Sequence, residues 1–464
     1  MSAAEIVIVG AGPAGATAAI RLAEAGIAST LLDDNAKPGG QVYRAGTADY
    51  RDTVLGHDPR GDGLRAALAR HGDRIDYRPC HDVVAIEPGP FLSAVGRDGQ
   101  SAAFAPHHVV LAPGAVEISV PVPGWTLPGV YTLGGLQILL KSAGVVPVGR
   151  VVLGGAGPFL YLVAAQLAAA GVEIAAIIDA APRPTPLQFA RMARAPLLLA
   201  RGLRYAALLR RRGVPLLSGH AVIGVRGQGR PREVAIAPLD PDWLPLPGDE
   251  RSIPCDVVGL GFGFRDNTEL TQLAGCAHDY EPATGGWRVR RASDLQTSVA
   301  GVFAAGGSVP GDADWAVAEG EIVAASIARR LGIAHPALHT AEAAARRRLK
   351  SLSGFRAGVL SWSGLRPGIF DAAMGETVLC RCRDVTRQML GAAFDRGLRD
   401  PRAIMEATGA GRGLCQGRVC APAFNHLIAG ATRAKIEDMP MPEARAPLRP
   451  IAARDDGAAD PGRS

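Results

Sequence analysis

The chain opens on an apolar run, Ile6-Val-Ile-Val9, and changes character at Gly10-Ala-Gly12-Pro13-Ala14-Gly15. A β-branched run bounded by glycine predicts a buried strand, and the alanine-rich stretch reaching Ala25 predicts a helix. A second short run, Ser29 to Leu32, predicts the next strand and ends on two acids, Asp33 and Asp34. The same order returns at Val151-Val-Leu-Gly154-Gly155-Ala-Gly157-Pro-Phe-Leu160, with a helix through Ala170 and a strand ending at Asp179. Further strands are expected at Val109 to Ala112 and Gly301 to Ala305, the latter followed by a helix around Ala316 to Arg329. Strands alternating with helices predict an α/β fold with parallel sheets. Val151 to Ile178 carries one charge, Glu173, and is long enough to pass for a membrane span. Gly154, Gly155, Gly157 and Pro158 interrupt it early and favour strand, turn and helix.

With 464 residues, 48% hydrophobic and 20% charged, the chain has the composition of a multidomain soluble enzyme. The formal charge of +6 is spread widely. The basic runs Arg210 to Arg212 and Arg347, Arg348, Lys350 lack interleaved aromatics, so they read as solvated helix faces and not as a nucleic-acid surface. The first strand begins near Glu5 and leaves no room for an export signal, so a cytoplasmic location is expected. Of seven cysteines, Cys80, Cys255 and Cys276 stand alone and read as small buried residues.

Each glycine of the first turn has a separate role. Gly10 permits the tight turn, Gly12 the close approach to a pyrophosphate, and Gly15 the packing of helix on strand. The helix N-terminus at Pro13 and Ala14 then offers backbone N–H groups to phosphate. Asp33 lies near the spacing of about 20 residues at which an acid accepts hydrogen bonds from ribose, with Asp34 beside it. In the second turn Gly155 and Gly157 are present, but Leu160 stands at the third glycine position. A side chain there is expected to wedge helix from strand or to intrude on a pyrophosphate, which leaves nucleotide occupancy open. Asp179 would favour an unphosphorylated ribose, hence NAD or ATP/ADP over NADPH.

Cys380-x-Cys382 and Cys415-x4-Cys420, separated by two helix-like stretches, form a thiolate quartet suited to soft metal. Gly411, Gly413 and Gly417 allow backbone N–H groups near the sulfurs. Four-cysteine zinc sites usually carry C-x-x-C knuckles, whereas this spacing, with its Cys415-Gln-Gly-Arg418 stretch, resembles the bacterioferritin-associated ferredoxin-like [2Fe-2S] domain. Zinc remains the competing guest.

Two nucleotide units, one inserted in the other, resemble the class II flavoprotein reductases. Pro38-Gly39-Gly40-Gln41-Val-Tyr43-Arg44 is similar to their segment along the flavin, and Val109 to Pro113-Gly114-Ala115 to their crossover strand, with Pro113 where threonine is usual. Gly301 to Gly306-Gly307 resembles their closing motif. There an Asp meets the ribityl or phosphate region of the flavin; here the position is Gly307, with Asp312 or Asp314 as candidates to replace it. FAD is the expected guest of the first unit.

The combination resembles the alpha or A subunits of heteromeric FAD-dependent amine dehydrogenases. These include the A subunit of opine oxidase, the B subunit of hydrogen cyanide synthase, and the alpha subunits of the D-hydroxyproline and L-proline dehydrogenases. The resemblance implies an amino-acid-oxidase-like flavoprotein beta subunit that oxidises a C–N bond, and leaves room for FMN at the interface and a small ferredoxin-like gamma subunit. It also implies a membrane quinone as acceptor, reached through a complex peripheral to the inner face of the cell membrane. No catalytic constellation is evident in the chain itself, and His71, His107 and His108 read as surface or turn residues. Residues 1–120 and 265–345 are expected to hold FAD, 121–264 to form the inserted unit, 346–374 a linker, 375–432 the cluster domain and 433–464 a flexible tail free to wrap a partner. Two other functions stay open: a self-sufficient NADH-dependent reductase and a non-catalytic scaffold.

Overall fold

In the computed structural model, which describes residues 5–46, 58–307 and 313–451, the opening apolar run is the central strand of a five-stranded parallel sheet. Its order is Val302–Ala304, His108–Leu111, Ile6–Val9, Ser29–Leu32, Ile75–Arg78. Parallel strands need covering on both faces, and Ile6, Val7 and Ile8 are fully buried. Helix Pro13–Glu24 covers one face, crossed by helix Ala313–Arg330. The crossing is backbone against backbone, since a Cβ at Gly320 would lie 2.4 Å from the Ala14 carbonyl oxygen. A three-stranded antiparallel sheet, His81–Glu87, Phe91–Gly96 and Ser101–Phe104, completes this unit.

The second unit repeats the plan, with order Leu216–Ser218, Ile174–Asp179, Val151–Gly155, Val257–Gly261, Val130–Thr132. The stretch long enough for a membrane span is strand Val151–Gly155, helix Pro158–Ala169 and strand Ile174–Asp179. Among the described residues no helix is long and apolar enough to cross a membrane. The chain passes between the two units at one antiparallel pair, Ala115–Glu117 with Phe264–Asp266.

Two segments differ from expectation. Residues 346–374 are not a mere linker: Pro336–Ser363 is one 28-residue helix, followed by a 3₁₀ turn at Pro367–Ala372. Its Gly354 and Gly358 fit against Arg194 and Met192, where side chains would collide. The described part of the tail is also ordered into contacts. Leu448 is buried and its N–H donates to the Val84 carbonyl at 2.8 Å, while Arg449 pairs with Asp34 at 3.0 Å and Asp82 at 2.6 Å. Proline prevents this segment from forming a helix, so it crosses as an extended strap from the cluster domain to the first unit.

At the C-terminal end of strand Ile174–Asp179, the Asp179 carboxylate is fully buried. It accepts hydrogen bonds from the Tyr161 hydroxyl at 2.7 Å and the Ala181 N–H at 3.0 Å. Burial outweighs these bonds and pushes its pKa up to about 7. The native state therefore keeps a proton on Asp179 between about pH 4 and 7 that the unfolded chain has lost, so this group lowers stability as pH rises through that window. Asp179→Asn removes the titration. Thermal melts are expected to show the variant gaining on the parent from pH 4 to pH 8, by on the order of 3–4 kcal/mol in total. A gap independent of pH would contradict the protonated assignment.

Candidate functional site

Strand Ile6–Val9 delivers the first glycine turn to the C-terminal edge of its sheet. Gly10 has φ +100°, and a Cβ there would lie 2.2 Å from the Ala112 carbonyl oxygen. A Cβ at Gly15 would lie 2.0 Å from the Gly10 oxygen, so helix and turn meet only because both are glycine. Gly12 is different: the nearest atom to a Cβ there is the Gly40 Cα, at 3.9 Å. Space is kept above Gly12, at the start of helix Pro13–Glu24, which has no side-chain cap and no acid in its first turn. The N–H groups of that turn are thus left for a phosphate.

Gly40 closes the far side of this cradle, and a Cβ there would come 2.9 Å from the Gly12 Cα. Gln41 turns outward, its oxygen accepting from Arg44 at 3.1 and 3.0 Å. Asp33 is buried beneath the loop and accepts from the N–H groups of Ala11 and Asn35, and burial raises its pKa above the usual carboxylate range. Asp34, by contrast, faces outward to Arg449 of the strap. Pro113 and Gly114 follow strand His108–Leu111 beside the turn, with the Gly114 carbonyl accepting from Asn267 N–H at 3.2 Å. Gly306 and Gly307 arrive from strand Val302–Ala304, and Gly306 donates to the Glu319 carboxylate at 2.6 Å. Glu319 is itself held by Arg291 through two 2.9 Å hydrogen bonds and by the Trp315 indole N–H at 2.8 Å. Of the candidates to replace the missing acid at 307, Asp314 is paired with Arg60 at 2.7 Å, and Asp312 lies outside the described residues.

The second turn keeps the shape of a nucleotide loop, but the chain itself lies over it. Gly155 is required by the Gly261 carbonyl oxygen, 1.8 Å from a Cβ position. At Gly157, where a pyrophosphate would approach, the Ser363 hydroxyl lies 3.1 Å from a Cβ position. The Tyr161 hydroxyl bonds Asp179, and the Trp362 ring lies tilted against the Tyr161 ring, 6.3 Å between centroids, while donating to the Pro182 carbonyl at 2.7 Å. Leu160 neither wedges the helix away nor intrudes on the groove; it is fully buried in the apolar core with Leu133, Leu153 and Val163. The end of helix Pro336–Ser363, which no glycine pattern signals, is what covers the turn.

At the mouth of the inserted unit, Glu117 accepts from the Gly134 N–H at 2.9 Å. Burial pushes its pKa up to about 7 against the hydrogen bonds from Thr132, Gly134 and Leu133. Sequence reasoning passed over this acid, which has no motif around it.

The four clustered cysteines come together across a small helical domain. The hairpin Val378–Cys380 with Val385–Thr386 presents Cys380 and Cys382, and the loop before helix Ala421–Thr432 presents Cys415 and Cys420. Cys380 and Cys420 are buried, Cys382 is exposed and Cys415 half-buried. The thiols associate as Cys380 with Cys420 and Cys382 with Cys415. Hydrogen bonding from Cys420 and from the N–H groups of Gly411, Cys382 and Arg383 lowers the Cys380 pKa to about 6, against the effect of burial; its bond to Cys380 and burial push Cys420 upward. Among the described residues no three His, Cys, Asp or Glu side chains converge on one ion position. The four thiols, supplied with backbone N–H groups, are the donor type that an iron-sulfur cluster takes. Gly413 is needed beside them, because a Cβ there would lie 2.2 Å from that of Cys382.

The cysteine loop is fastened to the first unit. The buried Arg265 donates to the Arg418 carbonyl at 2.6 Å, and Arg418 pairs with the buried Glu269 at 3.1 Å and donates to the Leu448 carbonyl of the strap at 2.8 Å. Gln416 donates to the carbonyls of Arg445 and Pro447 at 2.9 and 3.0 Å. On its other side the domain meets the inserted unit, where Trp125 donates to the Val378 carbonyl at 2.7 Å.

Comparison with known proteins agrees with this division. Residues 4–331 match the family described as pyridine nucleotide-disulphide oxidoreductase, and residues 378–430 match the BFD-like [2Fe-2S] binding domain. The two matches imply FAD and an iron-sulfur cluster. The chain is 36% identical over 458 residues to the HcnB subunit of hydrogen cyanide synthase from Pseudomonas protegens, covering 96% of each chain. To the A subunit of opine oxidase from Agrobacterium tumefaciens it is 32% identical over 466 residues, covering 96% of this chain and 90% of the relative. Among solved structures, L-proline dehydrogenase from P. horikoshii shares the fold with a TM-score of 0.69 at 16% identity, over 97% of this chain and 78% of that one. With the first match spanning more than half of the chain and both relatives covered nearly end to end, the chain belongs to the pyridine nucleotide-disulphide oxidoreductase family, carries a BFD-like [2Fe-2S] binding domain behind it, and is related to HcnB and the opine oxidase A chain.

Proposed function

We propose that this chain is the electron-transfer subunit of a heteromeric dehydrogenase that oxidises the C–N bond of an amino acid or opine on a partner flavoprotein. The observation that carries the reading is the fastening of the cysteine loop to the first nucleotide unit through Arg265, Arg418 and Glu269. The names of the relatives support a subunit role, since each is called a subunit of an enzyme whose name refers to opine oxidation or cyanide synthesis, and a further relative is the alpha subunit of sarcosine oxidase. When bound, a flavin takes up two electrons together and releases them singly, and a [2Fe-2S] cluster takes one at a time.

The chain's own residues serve that role by placement. Gly10, Gly12, Gly15 and Gly40 form the phosphate cradle, and Asp33 braces it from below. Cys380, Cys382, Cys415 and Cys420 would hold the cluster, and the amides of Gly411 and Cys415 would temper sulfur charge. Glu269 pairs with Arg418, so the buried carboxylate at the seat of the loop has a charged partner. The inserted unit gives rigidity and surface in place of a hydride donor's seat, because Ser363, Trp362 and Tyr161 lie where a second dinucleotide would be received.

Two outcomes are expected. Stoichiometric NADH added anaerobically to the purified chain leaves the visible absorbance of the oxidised flavin unchanged; rapid bleaching would install the self-sufficient reductase instead. Cys415→Ser in the complex with its partner retains assembly and bound nucleotide, while electron flow to an artificial acceptor falls by more than about tenfold. Full residual activity in that variant, or fast amino-acid-dependent dye reduction by the isolated chain, would defeat the assignment.

A further inference from the structure

The closing motif of the first unit lacks its acid, since Gly307 stands where flavoproteins of this type carry Asp. The space beside Gly307 is not empty. A Cβ built there would lie 2.5 Å from Oδ1, 3.0 Å from Cγ and 3.2 Å from Oδ2 of Asp266. The carboxylate of a residue some forty positions earlier therefore stands where a side chain at 307 would start. Gly307 also has φ +119°, a backbone conformation that L side chains rarely adopt.

Asp266 is delivered by the joint between the units. It ends strand Phe264–Asp266, pairs across the ladder with Ala115, and is followed by Asn267, whose N–H donates to the Gly114 carbonyl at 3.2 Å. One residue is thus anchored on the crossover motif Pro113-Gly114 while its carboxylate touches the closing motif at Gly307. The side chain is only 13% exposed, and Arg288 lies 3.7 Å from Oδ2. Gly306 in turn borders the glycine turn, with a Cβ position 3.4 Å from that of Ala14. Crossover motif, closing motif and glycine turn meet around this one acid.

The geometry points to Asp266 as a flavin-binding residue: its carboxylate, reaching in from the inter-unit strand, takes over the role of the acid missing at 307. An ionised carboxylate only accepts hydrogen bonds and repels phosphate. Its match on FAD is the polyhydroxylated ribityl chain, while the pyrophosphate belongs to the N–H groups around Gly12. The assignment explains why glycine is required at 307, since two acids cannot occupy one place. It rests on the reading that the first unit holds FAD.

The test compares FAD with ADP, which shares the adenosine and pyrophosphate end but lacks the ribityl chain. Nucleotide-free, full-length parent, Asp266→Asn and Asp266→Ala chains are titrated with each ligand, and thermal melts report folding. Asp266→Ala is expected to weaken FAD by about tenfold to a hundredfold, the loss of hydrogen bonds to a charged acceptor. Asp266→Asn, which keeps the shape and one acceptor oxygen, falls between, and ADP affinity stays within about twofold in both, as its contacts are untouched. If the alanine chain fails to fold, the asparagine chain decides. Unchanged FAD affinity in folded variants, or a parallel fall in FAD and ADP, overturns the role of Asp266. A parent chain that binds ADP but not FAD overturns the reading of the first unit, and this assignment with it.

Discussion

A cluster domain is useful to a nucleotide unit only at a fixed short distance, because electron transfer weakens steeply with separation. Among the contacts that seat the cysteine loop, those of Arg418 reach furthest. Arg418 lies between Cys415 and Cys420, and its guanidinium joins Glu269 of the first unit to the Leu448 carbonyl of the strap while its own carbonyl accepts from Arg265. A half-buried ion pair of this kind adds little net stability, since desolvation offsets most of the attraction. What it supplies is position: any displacement of the loop leaves a buried charge or donor without a partner, and that is strongly disfavoured.

The same economy of space governs the inserted unit. A glycine turn, an acid at the end of the second strand and a parallel sheet are all retained, so its architecture is that of a nucleotide-binding unit. The end of helix Pro336–Ser363 has been laid across the turn, Ser363 against Gly157 and Trp362 beside Tyr161. Asp179, with its carboxylate turned to Tyr161 and Ala181, behaves as a buried structural acid. Glu117 shares the condition of a buried carboxylate with raised pKa at the edge of this unit. Both acids accept backbone hydrogen bonds within the unit, Asp179 from Ala181 and Glu117 from Gly134.

Local pattern was most informative where backbone sterics act at short range. Gly10, Gly15 and Gly155 are glycine because backbone carbonyl oxygens stand where a Cβ would be, and the strand-turn-helix reading of both repeats follows from that constraint. The segment carrying Cys380, Cys382, Cys415 and Cys420 was equally readable as one small domain, and residues 378–430 match the BFD-like [2Fe-2S] binding domain. Readings failed where long-range packing decides. Leu160, expected to disturb the groove, fills the core; residues 346–374, expected to link, include the end of a packed helix and a turn; the described part of the tail, expected to be flexible, lies against the first unit. Asp34 was grouped with Asp33, yet the chain bends after the strand ends at Leu32, and Asp34 meets the strap.

From sequence alone the chain was an α/β oxidoreductase with two glycine turns and a thiolate quartet, because those features are written in residues a few positions apart. Whether the second turn is open, which acid stands beside Gly307 and how the cysteine loop is seated were settled only by the fold. Each depends on residues brought together from distant parts of the chain, Ser363 to Gly157, Asp266 to Gly307, Arg265 to Arg418, and no local periodicity encodes such meetings.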